Sequence, residues 1–257
     1  MKYPIVLVHG IILKDFWHFK AFGKIEKILK EQGYHVYTAD HDGLGTIQSN
    51  AEQLKEFVNR VLEKEGVKRV NLICHSKGGL DSLYMIDRLS MSAKVASVTF
   101  LCTPHKGSPI ATRLYEMPKW IRNSLAIWLN FVYKLLGDKR PNALEVCRSL
   151  KSTPEDILKC FEPHDGIYMQ SYASELSSSR DDFVMGIPLI FSRMYEQVPS
   201  DGMVSYHSSQ YANFRGNCIE DSISHSQIVD FCTGKSKKEK IYTFYSTLCA
   251  ELASFGY

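Results

Sequence analysis

Three short segments of the chain are apolar with little alternation: Ile5–Val8, Val70–Cys74 and Val95–Leu101. A strand with one wet face alternates apolar and polar residues, whereas a strand covered on both faces does not. Between these segments the spacing changes to that of helices. Phe22, Ile25, Ile28 and Leu29 share one face and Gly33 ends the pattern. Leu54, Phe57, Val58, Val61 and Leu62 form a second stripe behind Ser49-x-x-Glu52, a capping-box signature. Leu80–Leu89 reads as a third helix and His35–Ala39 as one more short strand. Strands alternating with helices predict an α/β fold with a mainly parallel central sheet and helices on both faces. At 257 residues the chain can bury the core of one such domain.

The alternation stops after about residue 104. Residues 108–165 carry helical patterning and no strand candidate, so a helical insertion within one domain is expected there. Strand signals return near 167–172 and at 187–191. Residues 177–182 look like an exposed loop, and a last helix is expected from about Lys238 to Ser254.

Cys74-His75-Ser76-Lys77-Gly78-Gly79 lies where a strand gives way to a helix. A G-x-S-x-G elbow needs that setting: a strained turn exposes the serine hydroxyl at a helix N-terminus, and the residues two before and two after must be small. Gly78 meets the requirement, and Cys74 stands in for the first glycine. Ser76 is the candidate nucleophile. The backbone N–H of Lys77 is one candidate oxyanion donor. Ile11, after His9-Gly10 at the end of the first strand, is the other.

A serine hydroxyl needs a base, and the base needs an acid to orient it. In this arrangement the acid and then the histidine follow the serine in the chain. Asp201, in Val198-Pro199-Ser200-Asp201-Gly202, reads as a turn after the segment 187–191 and is the candidate acid. His225 is the favoured base and His207 its main competitor. His9 precedes the serine and reads as structural, and His75 as packing beside the elbow. His18, His35, His41 and His164 read as surface or structural. Asp40 and Asp42 read as a solvated turn.

With these residues in hand, the chain resembles the bacterial triacylglycerol lipases typified by the Pseudomonas and Burkholderia enzymes. The likeness rests on Tyr3–Gly10, Val70–Gly79, Thr103-Pro104-His105-Lys106-Gly107-Ser108 and Ser200-Asp201-Gly202-Met203-Val204-Ser205. It implies an α/β-hydrolase fold, a Ser76–Asp201–His225 triad, Ile11 and Lys77 as oxyanion donors, and a lid. Lys77 stands where glutamine or methionine is common, which would add a charge at the mouth of the site. Secreted members of that family hold calcium through an aspartate two residues after the catalytic histidine. Here Gln227 takes that position, so no metal is expected.

Within the insertion, eleven large apolar residues fall in 120–136. That exceeds one buried face of a surface helix and is too short to span a bilayer. Trp120, Leu125, Trp128, Leu129 and Val132 are the candidate acyl-chain wall, either as a lid that meets a lipid interface or as an ordinary cap helix. The expected chemistry is hydrolysis of apolar acyl esters without a cofactor. An acyltransferase using the same triad, or an inactive hydrolase fold that binds a ligand or protein, are the alternatives. A net charge of +3 and no basic stripe argue against nucleic acid as a partner. The mixed cluster Lys235–Lys240 reads as a solvated helix start. Only Lys2 precedes the first apolar run, which is too short for an export signal. Seven cysteines without metal-ligand spacing fit reduced thiols in a cytoplasm.

Overall fold

A computed structural model describes residues 1–11, 20–151, 164–195, 198–231 and 233–257. Six strands form one sheet in the order β2-β1-β3-β4-β5-β6, every neighbouring pair parallel. They are β1 (Ile5–Val8), β2 (Val36–Thr38), β3 (Val70–His75), β4 (Val95–Leu101), β5 (Tyr168–Ala173) and β6 (Asn213–Asn217). The described helices are α1 (Ile25–Glu31), α2 (Ile47–Glu65), α3 (Lys77–Arg88), α4 (Pro109–Glu116), α5 (Lys119–Leu135), α6 (Ala143–Lys151), α7 (Phe183–Tyr195) and α8 (Lys235–Ser254).

The unalternating strands are buried on both faces. Ile5 and Leu7 join a cluster with Phe22 and Ile25 of the α1 side and Tyr245, Leu248 and Leu252 of α8. Val6 and Val8 point the other way, into Leu54 and Val58 of α2 and Leu83 and Ile86 of α3. The period of two in side-chain direction splits each strand between these two cores. A third, smaller cluster joins Leu80 to Ala126, Val146 and Leu150 and seats the helices of 109–151 on the fold.

Three elements differ from the sequence reading. The second helix begins earlier than the Ser49 signature suggested: Thr46 is its N-cap, with its hydroxyl accepting the Ser49 N–H at 3.1 Å. Gly66 closes it in the left-handed conformation at φ 65°. Residues 187–191, expected as a strand, lie inside α7, whose N-cap Asp182 accepts the N–H groups of Val184 and Met185. A β-branched apolar run is equally at home in a strand or a buried helix, and the cap decides. The strand that takes its place in the sheet is β6, Asn-Phe-Arg-Gly-Asn, an edge segment in which Phe214 is the one apolar residue. The lysine cluster 235–240 lies at the start of α8, which begins at Lys235 rather than near Lys238. His18, Cys160 and Cys232, and residues 152–163 of the expected insertion, lie outside the described residues.

Candidate active site at the carboxyl edge of the sheet

Ser76 sits between β3 and α3 with φ 54° and ψ −134°, a conformation that costs backbone strain in any residue but glycine. The chain around it is too crowded for larger residues. A Cβ on Gly78 would lie 2.4 Å from the His9 carbonyl oxygen, and one on Gly10 would lie 2.6 Å from the Ser76 Cβ. Gly10 therefore lies directly against Ser76. Cys74 is buried at the first small position, its sulfur 3.1 Å from the Ser82 hydroxyl. Burial pushes its thiol up to about 12, so it remains a small uncharged filler.

The His225 Nε2 lies 2.8 Å from the Ser76 Oγ, and its Nδ1 lies 2.7 Å from the Asp201 Oδ2. A carboxylate can only accept, so Nδ1–H donates to Asp201 and the Nε2 lone pair faces the serine hydroxyl. The other Asp201 oxygen accepts the N–H groups of Met203 and Val204, at 2.9 and 2.7 Å. Gly202, at φ 103°, allows this tight turn. The Asp201 loop follows β5 in space: the Leu176 N–H donates to the Ser200 carbonyl at 2.9 Å. The expected position at the carboxyl edge of the sheet is thus reached from β5 rather than from residues 187–191. Backbone bonds fix the histidine as well. Its N–H donates to the Asp201 carbonyl at 3.0 Å, and its own carbonyl accepts from His75 Nε2 at 2.9 Å. Burial and the neighbouring His225 hold His75 well below the usual histidine range, so it donates as a neutral ring.

His207, the competing base, is exposed and lies 3.3 Å from the Lys106 ammonium, away from this constellation. His105 is buried, stacked on Tyr211 at 4.4 Å, and burial lowers it to about 3. His9 and His41 stack at 4.0 Å behind the elbow. Asp40 is on the surface facing Arg60, whereas Asp42 is buried and accepts the N–H groups of Lys139 and Arg140, which corrects its reading as solvated.

Lys77 also departs from expectation. Its N–H stands in the first turn of α3, where helix N–H groups lack intrahelical partners. Its side chain does not reach the mouth of the site. It is fully buried and binds both oxygens of Asp81, at 2.8 and 2.9 Å. Asn50 donates to the same carboxylate, and burial pushes Asp81 up to about 6 against the pull of Lys77. Of the candidate acyl wall, Trp120 and Trp128 of α5 are 74% and 59% exposed; Leu125 is also exposed, and Leu129 and Val132 are half-buried.

Residues 3–177 match the alpha/beta hydrolase fold family. The chain belongs to that family. The matched stretch includes Ser76, while Asp201 and His225 lie beyond it. The chain is 35% identical over 128 residues to a triacylglycerol lipase of Pseudarthrobacter phenanthrenivorans, a match covering 46% of this chain and 38% of that protein. It is 24% identical to triacylglycerol lipase 2 of Saccharomyces cerevisiae over 91% of this chain and 73% of the yeast protein. The chain thus spans well under half of the bacterial relative's length. In structure it resembles the Staphylococcus hyicus lipase, with a TM-score of 0.73 and 16% identity over 98% of this chain and 95% of that one. At that identity the likeness speaks for the fold.

Proposed function

We propose that this chain is a serine hydrolase that cleaves apolar acyl esters through an acyl-enzyme, with Ser76, His225 and Asp201 as its triad. The observation that carries the reading is the continuous hydrogen-bond chain from the Ser76 hydroxyl through the His225 ring to Asp201. The Ser76 oxygen attacks the ester carbonyl while His225 Nε2 takes its proton. The tetrahedral oxyanion is held by the N–H groups of Lys77 and Ile11. The intermediate collapses, His225 protonates the leaving alcohol, and the acyl group stays on Ser76. Water, deprotonated by the same ring, then attacks the acyl-enzyme and releases the acid. Asp201 keeps the ring in the required tautomer throughout.

The substrate end of the reading rests on α5, which holds Trp120, Ile127, Trp128, Phe131 and Leu135 in solvent. Exposed apolar area of this kind marks a surface that meets an apolar partner. We take residues 108–165 as an insertion in a single domain, α5 as a lid that meets a lipid interface, and Leu125, Leu129 and Val132 with the two tryptophans as its acyl-facing wall. The likeness to lipases supports an acylglycerol or a similar ester. Among the described residues no helix is long and apolar enough to cross a membrane. A reducing, cytoplasmic setting fits the free thiols of Cys74, Cys102, Cys147, Cys218 and Cys249; finding the active protein outside the cell would overturn that placement.

A fluorophosphonate probe tests the core of the proposal. It should label the wild type, and labelling should vanish in Ser76→Ala along with roughly a million-fold of kcat on a p-nitrophenyl ester. A folded wild type that does not label would overturn the reading. His207→Ala should keep most of the activity and His225→Ala should lose it; the reverse would reassign the base. Deletion of 118–137 should remove preference for long acyl chains, and an unchanged chain-length profile would end the lid assignment.

A further inference from the structure

His225 stands on a loop, between Ile223 and a single 3-10 turn at Gln227–Val229. No helix or strand fixes its side chain. A carboxylate from elsewhere in the chain grips the loop on both sides of it. Asp182 Oδ2 accepts the hydroxyl of Ser224, immediately before His225, and that of Ser226, immediately after, the latter at 3.1 Å. Its Oδ1 accepts the N–H groups of Val184 and Met185, at 2.8 and 3.1 Å, as the N-cap of α7. One buried carboxylate thus ties both neighbours of His225 to the start of a helix. Burial alone would raise Asp182, yet the Ser224 hydroxyl, the two N–H groups and the Ser226 hydroxyl hold it below the usual carboxylate range.

The resemblance to secreted lipases implies a calcium ion beside this loop. The donor set does not fit one. Calcium takes six to eight oxygens, several of them charged. Here Gln227 stands in place of the aspartate that the resemblance implies, and its groups are engaged: Oε1 accepts the Ser224 N–H at 3.2 Å and Nε2 donates to the Asp181 carbonyl at 3.2 Å. The Lys237 ammonium lies 3.5 Å from the same Oε1, bringing positive charge to where a cation would have to sit.

We infer that Asp182 is a positioning residue for His225, clasping Ser224 and Ser226 so that the histidine loop keeps its place without a metal ion. The inference rests on the proposed role of His225. Asp182→Asn keeps the size and the helix cap but loses the charge that accepts both hydroxyls. Misplacing a reacting group by about 1 Å can cost on the order of 100-fold. The test measures kcat on a p-nitrophenyl ester, divided by the sites titrated with a fluorophosphonate. Asp182→Asn should lose roughly 10- to 100-fold in kcat with KM within about threefold. A Ser224→Ala/Ser226→Ala pair should lose a similar factor. EDTA and added calcium chloride should each leave the wild-type rate unchanged. A merely structural role would lower the titrated fraction and leave kcat per site alone, which would overturn the inference. So would loss of activity in EDTA that calcium restores. Proton NMR adds a readout free of turnover. The far-downfield Nδ1–H resonance of His225, assigned by its loss in His225→Gln, should be sharp in the wild type and lost in Asp182→Asn. If the wild type fails to label yet this resonance behaves as stated, the hydrolase reading falls and the clasp stands. If the resonance is unchanged in Asp182→Asn, the clasp falls.

Discussion

Helices α3 and α5 break the usual division of residues in opposite directions. The first, which Ser76 caps at its start, buries Lys77, Asp81 and Ser82 completely. The second holds Trp120, Ile127, Trp128, Phe131 and Leu135 in solvent. In α3 the buried charges are paired and hydrogen-bonded, and they back a strained turn that must not move. In α5 the exposed apolar side chains have no covering element among the described residues. One helix is braced inside the fold, and the other leaves an apolar face uncovered among the described residues. Substitutions in the first should therefore read out as stability, and in the second as activity on particular substrates.

The sharpest way to break that contrast is Asp81→Ala. It leaves the buried Lys77 ammonium without its carboxylate and should cost about 3–5 kcal/mol, read from urea unfolding. A loss under about 1 kcal/mol would show that the pair is not the brace described here. A Lys77→Met/Asp81→Leu pair should recover most of that loss, because no charge remains unpaired.

Next in size is the effect of pH on two buried histidines, His105 and His75. His105 is lowered to about 3 from an ordinary value of 6.5, and His75 is also lowered. A depressed folded-state pKa contributes stability that is present above pH 6.5 and lost as pH falls below it. At pH 5 the loss should reach about 2 kcal/mol for His105. The unfolding free energy measured from pH 7 to pH 5 should show it, and His105→Phe should flatten that slope. An unchanged slope would mean that another group dominates.

Thr46→Ala, which removes the cap of α2, should cost about 1 kcal/mol in the same assay. The smallest expected stability effect lies on α5. Trp128→Ser should change the unfolding free energy by less than about 0.5 kcal/mol. It should nevertheless lower the rate on an emulsified long-chain triglyceride while sparing a soluble short-chain ester. Equal loss on both substrates would remove the distinction between the two helices.

The elbow was legible because its requirements are local: a buried strand, a helix start and small residues at fixed offsets. Chain order and the loop setting favoured His225 over His207, yet nothing local fixes where either ring ends up. The difference is tertiary: the ring of His207 goes to Lys106 at the surface, and that of His225 to within 2.8 Å of the Ser76 hydroxyl. Residues 187–191 read as a strand because an apolar β-branched run fits two structures, and the cap at Asp182 that decides for the helix carries no apolar signal. The polar segment Asn213–Asn217 was invisible as a strand because an edge position needs no apolar face.

By itself the sequence determined the parallel sheet, the place of Ser76 in it and the helical character of the insertion, since periodicity and small-residue spacing are written locally. Only the tertiary structure decided which histidine meets the serine, that Lys77 turns inward to Asp81, and that Asp182 grips the loop of His225. The first and last of these join residues one hundred and forty-nine and forty-two apart, which no local pattern specifies; Lys77 and Asp81 are an i,i+4 helix pair, and what folding decided there is their burial.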